Sequence, residues 1–150
     1  MNRPDNDIVD PFSFQPMTWV DLVPYFPNEF HQLDIVVDSA SPTLTASATF
    51  TKGHANSIGM VHGGVLATVL DVFMALIAAV ETRQPQVTRS LNVRYLRPCR
   101  VLEPVSFMGQ VTRSRQDRRD VRVSAQQRGL CAIGEGELIS VAWRQRRSVR

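Results

Sequence analysis

Between Val65 and Val80 the chain is almost entirely apolar, while the segments on either side alternate apolar and polar residues. The first pattern predicts a buried helix and the second predicts strands. At about 16 residues the run is shorter than the roughly 20 that cross a bilayer, and it contains Thr68 and Asp71. It opens behind Gly63-Gly64 and ends near Glu81-Thr82-Arg83, with Pro85 beyond, where a helix would stop. Apolar residues lie all round this helix, so it must be enclosed on most sides.

Two short strands, HQLDIVVDS and TLTASATFT, precede the helix and are separated by Ser41-Pro42. Four more follow it: QVTRSLNVRYLRP, EPVSFMGQVTRSR, RDVRVSAQQRG and LCAIGEGELISVAWR. In the first of these four, Val87, Arg89, Leu91, Val93 and Tyr95 alternate with Thr88, Ser90, Asn92 and Arg94, which suits a sheet covered on one face. Strands segregated around one long helix predict an α+β domain, a largely antiparallel sheet wrapped on that helix. Upstream, MTWVDLVPYF predicts a short helix that prolines keep short. Residues 1 to 16 are expected to be a loose arm and residues 17 to 150 one domain, with no internal repeat.

Composition narrows the class without changing this picture. With 150 residues, 43% of them hydrophobic and 21% charged, the chain is an ordinary globular domain able to bury a core. Its two cysteines, Cys99 and Cys131, make no disulfide framework and no basic apolar leader opens the chain, so a cytoplasmic protein with reduced, buried thiols is expected. The net charge of +3 arises wholly after residue 56. The arginines there sit singly in strand-like text, without an aromatic platform or helix-turn-helix spacing, which argues against nucleic acid. An anionic small molecule accounts for the excess equally well.

The helix poses a chemical question. Asp71 is its only ionisable side chain before Glu81, and a carboxylate taken out of water must be neutralised, paired or used. At the other end, unpaired N–H groups at the start of a helix sit at the positive end of its dipole. Glycines there let a substrate carbonyl approach the backbone. Gly63, with Gly64 beside it, is therefore the natural donor to a developing oxyanion, and Asp71 the candidate nucleophile or general base. The two lie eight residues apart, about 12 Å along one helix, whereas one carbonyl must be within about 3 Å of both. If both are catalytic, each site combines Gly63 of one subunit with Asp71 of another.

The order Asn56-x-x-Gly59-x-x-His62-Gly63-Gly64, then Asp71, with YLRP closing the next strand, resembles the hotdog-fold thioesterases of the phenylacetate-degradation type over roughly residues 28 to 143. The resemblance implies a single hotdog domain and a homodimer as minimum unit, often a homotetramer. It also implies hydrolysis of acyl-CoA or aryl-CoA thioesters without metal or redox cofactor, coenzyme A being part of the substrate. Position by position, Gly63 matches the N–H that polarises the thioester and Asp71 the catalytic carboxylate. Asn56 and His62 match residues that order the loop, the carbonyl and the attacking water. Thr88, counted back from Pro98, falls where relatives hold a water-placing Ser or Thr, with Ser90 the fallback. Coenzyme A would bring phosphates, for which Arg97, Arg100, Arg113 and Arg115 are the candidate partners.

Plainer readings exist for each residue. Asp71 could be a structural carboxylate paired with Arg89 or with a neighbouring helix, His62 a loop-closing histidine, and Asn56 a turn residue on any fold. No second His or Cys lies at a metal-ligand spacing from His62. Gly134-Glu135-Gly136 lacks the third glycine of a nucleotide loop and is read as close strand packing. Met60, Phe73, Met74 and Ile77 suit an acyl pocket or the core equally. A non-catalytic acyl-CoA-binding hotdog protein and a hotdog (de)hydratase are the alternatives to the thioesterase.

Overall fold

The computed structural model describes the backbone of residues 34–38 and all of residues 43–141. The expected arm and short upstream helix lie outside the described residues. The elements are β1 (Asp34–Asp38), β2 (Leu44–Thr49), α1 (Gly63–Thr82), β3 (Gln86–Tyr95), β4 (Pro104–Arg115), β5 (Arg118–Gln126) and β6 (Leu130–Ser140). A 3-10 turn at Lys52–His54 leads toward α1. The six strands form one sheet in the order β1-β2-β4-β5-β6-β3, every neighbouring pair antiparallel. α1 packs across β3 to β6, and this is the single hotdog domain expected.

Alternation builds the covered face. Leu44, Ala46 and Ala48 of β2, Val105 and Phe107 of β4, and Val121, Val123 and Ala125 of β5 are buried, each separated from the next by a more exposed residue. Against them α1 sets Leu66, Val69, Leu70, Phe73, Met74, Leu76, Ile77 and Ala78. Phe73 meets Phe107 edge to face with ring centroids 6.3 Å apart, a contact worth about 1 kcal/mol beyond the area it buries. Phe73, Met74 and Ile77 thus belong to the core. Cys99 and Cys131 are buried, free thiols in that core. At Gly136 a Cβ would come within 2.7 Å of the Ser90 carbonyl oxygen, so β6 needs glycine to lie against β3.

Two expectations are corrected. The alternation of β3 does not run through unbroken: its register with β6 shifts between Thr88 and Ser90. A bulge of this kind turns part of a strand over, leaving Val87 53% exposed while Thr88 faces α1. Nor is α1 enclosed on most sides among the described residues. Asp71, Val72 and Ala75 are only partly covered and Val80 is exposed. α1 is the one helix among the described residues long and apolar enough to cross a membrane, and here it is the core helix under the sheet.

Candidate active site

The approach to α1 is built by Asn56. Its side-chain Oδ1 accepts from the N–H groups of Ile58 and Met60 at 3.0 and 3.1 Å, and its own N–H donates to the Met60 carbonyl at 2.7 Å. These bonds fold residues 56–60 into a closed loop, with Gly59 at φ +80°, a conformation that glycine adopts without strain. The plain turn-residue role of Asn56 is therefore present, and the loop it orders leads directly to the helix.

His62 is the N-cap of α1, in extended conformation, and its Nδ1 accepts from the Gly64 N–H at 2.9 Å. Nδ1 is the acceptor, so a neutral ring carries its proton on Nε2. The bond also occupies the Gly64 N–H and leaves that of Gly63, which makes no hydrogen bond among the described residues. Gly64 thus caps the helix, a use of its N–H that competes with the substrate-binding role expected for it. His62 is steadied in turn by the buried His54, whose carbonyl accepts from the His62 N–H at 2.8 Å and whose Nδ1 accepts from the Thr51 N–H at 3.0 Å. Sequence reasoning missed His54, though the spacing Thr51-x-x-His54 before a turn is a capping signal.

Two turns along α1, Asp71 is half-buried, and Thr88 Oγ1 donates to its Oδ1 at 2.7 Å. No second hydrogen bond reaches the carboxylate among the described residues. Arg89, the partner of the plainer reading, instead lies 3.2 Å from Glu137. Ser90 lies beyond the bulge, where its hydroxyl accepts from the Glu137 N–H at 3.3 Å, so of the two hydroxyl residues it is Thr88 that meets Asp71. Tyr95, at the far end of β3, donates its hydroxyl to the Gly63 carbonyl at 2.6 Å. The sequence marks it as a strand residue and as the first residue of the YLRP that closes β3, but gives no sign of its contact with Gly63, thirty-two residues away.

The arginines divide into two groups. Arg97 and Arg100 lie at the Gly63 end: Met60 bridges to Arg100, and the Arg97 guanidinium covers Gly129 in the β5–β6 turn. Arg100 is 4.0 Å from Glu103, and Gln127 clasps its backbone from both sides. Arg113 and Arg115 lie by the β4–β5 hairpin, near the C-terminal end of α1, where Ser114 meets Glu81. Arg115 is already committed, at 2.6 Å from Asp120 and 2.9 Å from Glu137. Arg118 and Arg119 are likewise beside Glu137 and Glu81. A shallow cavity of about 780 Å³ opens on the outer face of the sheet between Arg89, Arg118, Arg122, Glu135 and Glu137. It is lined by these paired charges, on the opposite side of the sheet from Asp71 and Gly63.

One helix presents at its start an N–H unpaired among the described residues and, two turns on, a half-buried carboxylate, with a strand returning along it to touch both places. A β-sheet curled on one such helix defines the class, a hotdog-fold protein. Within it, the family model described as Thioesterase superfamily matches residues 58–131, which run from the loop through α1, β3, β4 and β5, so over these residues the chain is similar to that superfamily. Solved structures share the fold. Thioesterase superfamily member 2 from Mus musculus is 20% identical, with 72% of this chain and 82% of that one covered and a TM-score of 0.64. A phenylacetic acid degradation-related protein from Ralstonia eutropha JMP134 is 23% identical over 76% and 90%, at 0.67. A mutant of the phenylacetic acid degradation protein PaaI from Thermus thermophilus is 22% identical over 75% and 97%, also at 0.67. The fold expected from the resemblance to the phenylacetate-degradation type is borne out by these neighbours. Among curated protein sequences there is no match.

Proposed function

We propose that this protein hydrolyses acyl-CoA or aryl-CoA thioesters to the free acid and coenzyme A. One observation carries the reading: Thr88 holds one oxygen of the half-buried Asp71 on a helix whose first N–H, that of Gly63, has no partner among the described residues. A thioester needs an attacking group and a donor for the oxygen that becomes negative. Asp71 serves as the first, either attacking the carbonyl carbon to give a mixed anhydride and thiolate that water then resolves, or taking a proton from the water that attacks. Gly63 N–H serves as the second. The steps call for water and the protein's own groups, with coenzyme A entering as part of the substrate and no metal or redox cofactor.

The helix spacing of about 12 Å requires that the two groups come from different subunits. β3 supports such a pairing. It is a ten-residue strand at the end of the sheet, with no neighbour on its outer side among the described residues. Proteins rarely leave an edge of that length open, and Leu91 and Tyr95 along it are 39% and 51% exposed. The partly covered side of α1 beside it, with Asp71, Val72 and Ala75, gives a second copy something to bury. A homodimer is the smallest unit this reading allows, and pairs of dimers are compatible with it. The test is a colorimetric thiol-release screen over short, medium, long-chain and aryl-CoA thioesters. Release from at least one class is expected, and none from any class would refute the hydrolase.

A further inference from the structure

Tyr95 crosses from the last position of β3 to the first of α1. Its hydroxyl donates to the Gly63 carbonyl at 2.6 Å, and its ring covers the Gly63 Cα so closely that a Cβ there would meet Cζ at 3.3 Å and the phenolic oxygen at 3.4 Å. The next residue is held from another side, since the Gly64 N–H donates to His62 Nδ1. Glycine is the residue whose φ and ψ are least restrained by its own atoms. At Gly63 the restraint comes from neighbours instead. A donor aids the transition state only if it is already aimed when charge develops, because reorienting it during the reaction forfeits the advantage.

We propose that Tyr95 is a positioning residue for the Gly63 N–H: ring and hydroxyl together hold this glycine in one backbone conformation, so that its amide is aimed before a thioester carbonyl arrives. The inference deepens the hydrolase reading and rests on it. Desolvation raises the phenol above its ordinary pKa of 10.0, so at neutral pH the hydroxyl keeps its proton and acts as donor. The pair also explains the residue type at position 63. A Cβ there would need the ring to give by a few tenths of an ångström, so glycine is the residue that fits beneath it undisturbed.

The test compares Tyr95→Phe, which keeps the ring and deletes the hydroxyl, with Tyr95→Leu, which deletes both, in the full-length protein. In nitrogen-15 spectra the Gly63 and Gly64 amides should shift and exchange faster with solvent, more so in the Leu variant. With the best thioester, kcat should fall about fivefold for Phe and about thirtyfold for Leu with KM within about twofold of wild type, short of the hundredfold or more lost when an oxyanion donor is removed outright. If Tyr95→Leu fails to fold, Tyr95→Phe alone decides. Unmoved amides, an unchanged kcat in an active enzyme, or a loss confined to KM would overturn the proposal. Moved amides in a protein whose wild type cleaves no thioester would support the anchor while refuting the hydrolase reading on which its catalytic meaning depends.

Discussion

The Thr88 hydroxyl donates to Asp71 Oδ1 at 2.7 Å across seventeen residues of chain, and the β3 bulge makes that meeting possible by turning Thr88 toward α1. The bond holds the carboxylate in one orientation and leaves its second oxygen for water or substrate. Thr88→Ala should therefore lower kcat about tenfold, as loss of one supporting hydrogen bond would, and Thr88→Ser should retain most of it. Thiol-release rates for the three proteins check this. An Ala variant as fast as wild type would remove Thr88 from the site.

The arginines make separable predictions. Arg97→Ala and Arg100→Ala should raise KM for CoA esters more than for esters of N-acetylcysteamine, which lacks the phosphates that guanidinium groups bind well. Equal effects on both esters would refute a phosphate role. Arg115→Ala should act on stability instead, since it removes a cation lying between Asp120 and Glu137. The expected loss is about 1 kcal/mol, the upper range for partly exposed pairs, read from urea denaturation.

Much of this was legible in the sequence, for identifiable reasons. The helix from Gly63 and the strands on either side were readable because period-two alternation and an unbroken apolar run are local signals that the core then enforces. Asp71 stood out as the lone acid in that run. The orientation of Thr88 was not readable, because a bulge depends on how β3 pairs with β6, a relation between residues nearly fifty apart. Tyr95 was missed for the same reason, its role being a contact made across the fold, whereas the contacts of His54 with Thr51 and His62 are local and its capping spacing was readable. The commitment of Arg115 was hidden by register: only pairing of β4 with β5 and of β5 with β6 brings Asp120 and Glu137 beside it.

Cys99 supplies a pH prediction. Burial, reinforced by a hydrogen bond with Cys131, pushes its thiol from 9.0 up to about 12. In the unfolded chain the thiol ionises near its ordinary value, so between about pH 9 and 12 the unfolded state binds fewer protons than the folded one. Stability must then fall as pH rises through that window and be unaffected by this group below it. Melting curves of wild type and Cys99→Ala from about pH 7 to 11 measure it. The wild type should lose more of its melting temperature above about pH 9 than the variant does, and parallel curves would contradict the assignment.

The shared site can be tested by complementation. Gly63→Pro deletes the proposed donor at a first helical position, where a proline backbone is tolerated, and its Cβ crowds Tyr95 at that same helix end, so both effects fall on one half of the site. His62 already has the extended backbone, φ −61° and ψ 131°, that a residue before proline requires. Mixed with Asp71→Asn and refolded, two inactive proteins should recover about a quarter of wild-type activity, since half the dimers are mixed and each has one intact site. No recovery, with mixed dimers demonstrated by mass spectrometry, would mean that the two groups do not share a site across subunits.

The central claim is that the Asp71 carboxylate does the chemistry. Asp71→Asn keeps the size of the side chain and an oxygen that can accept from Thr88, but removes both nucleophile and base. With the best thioester, kcat should fall by about a hundredfold or more while the melting temperature stays close to wild type. Hydrolysis by Asp71→Asn at a rate near that of the wild type would contradict the account.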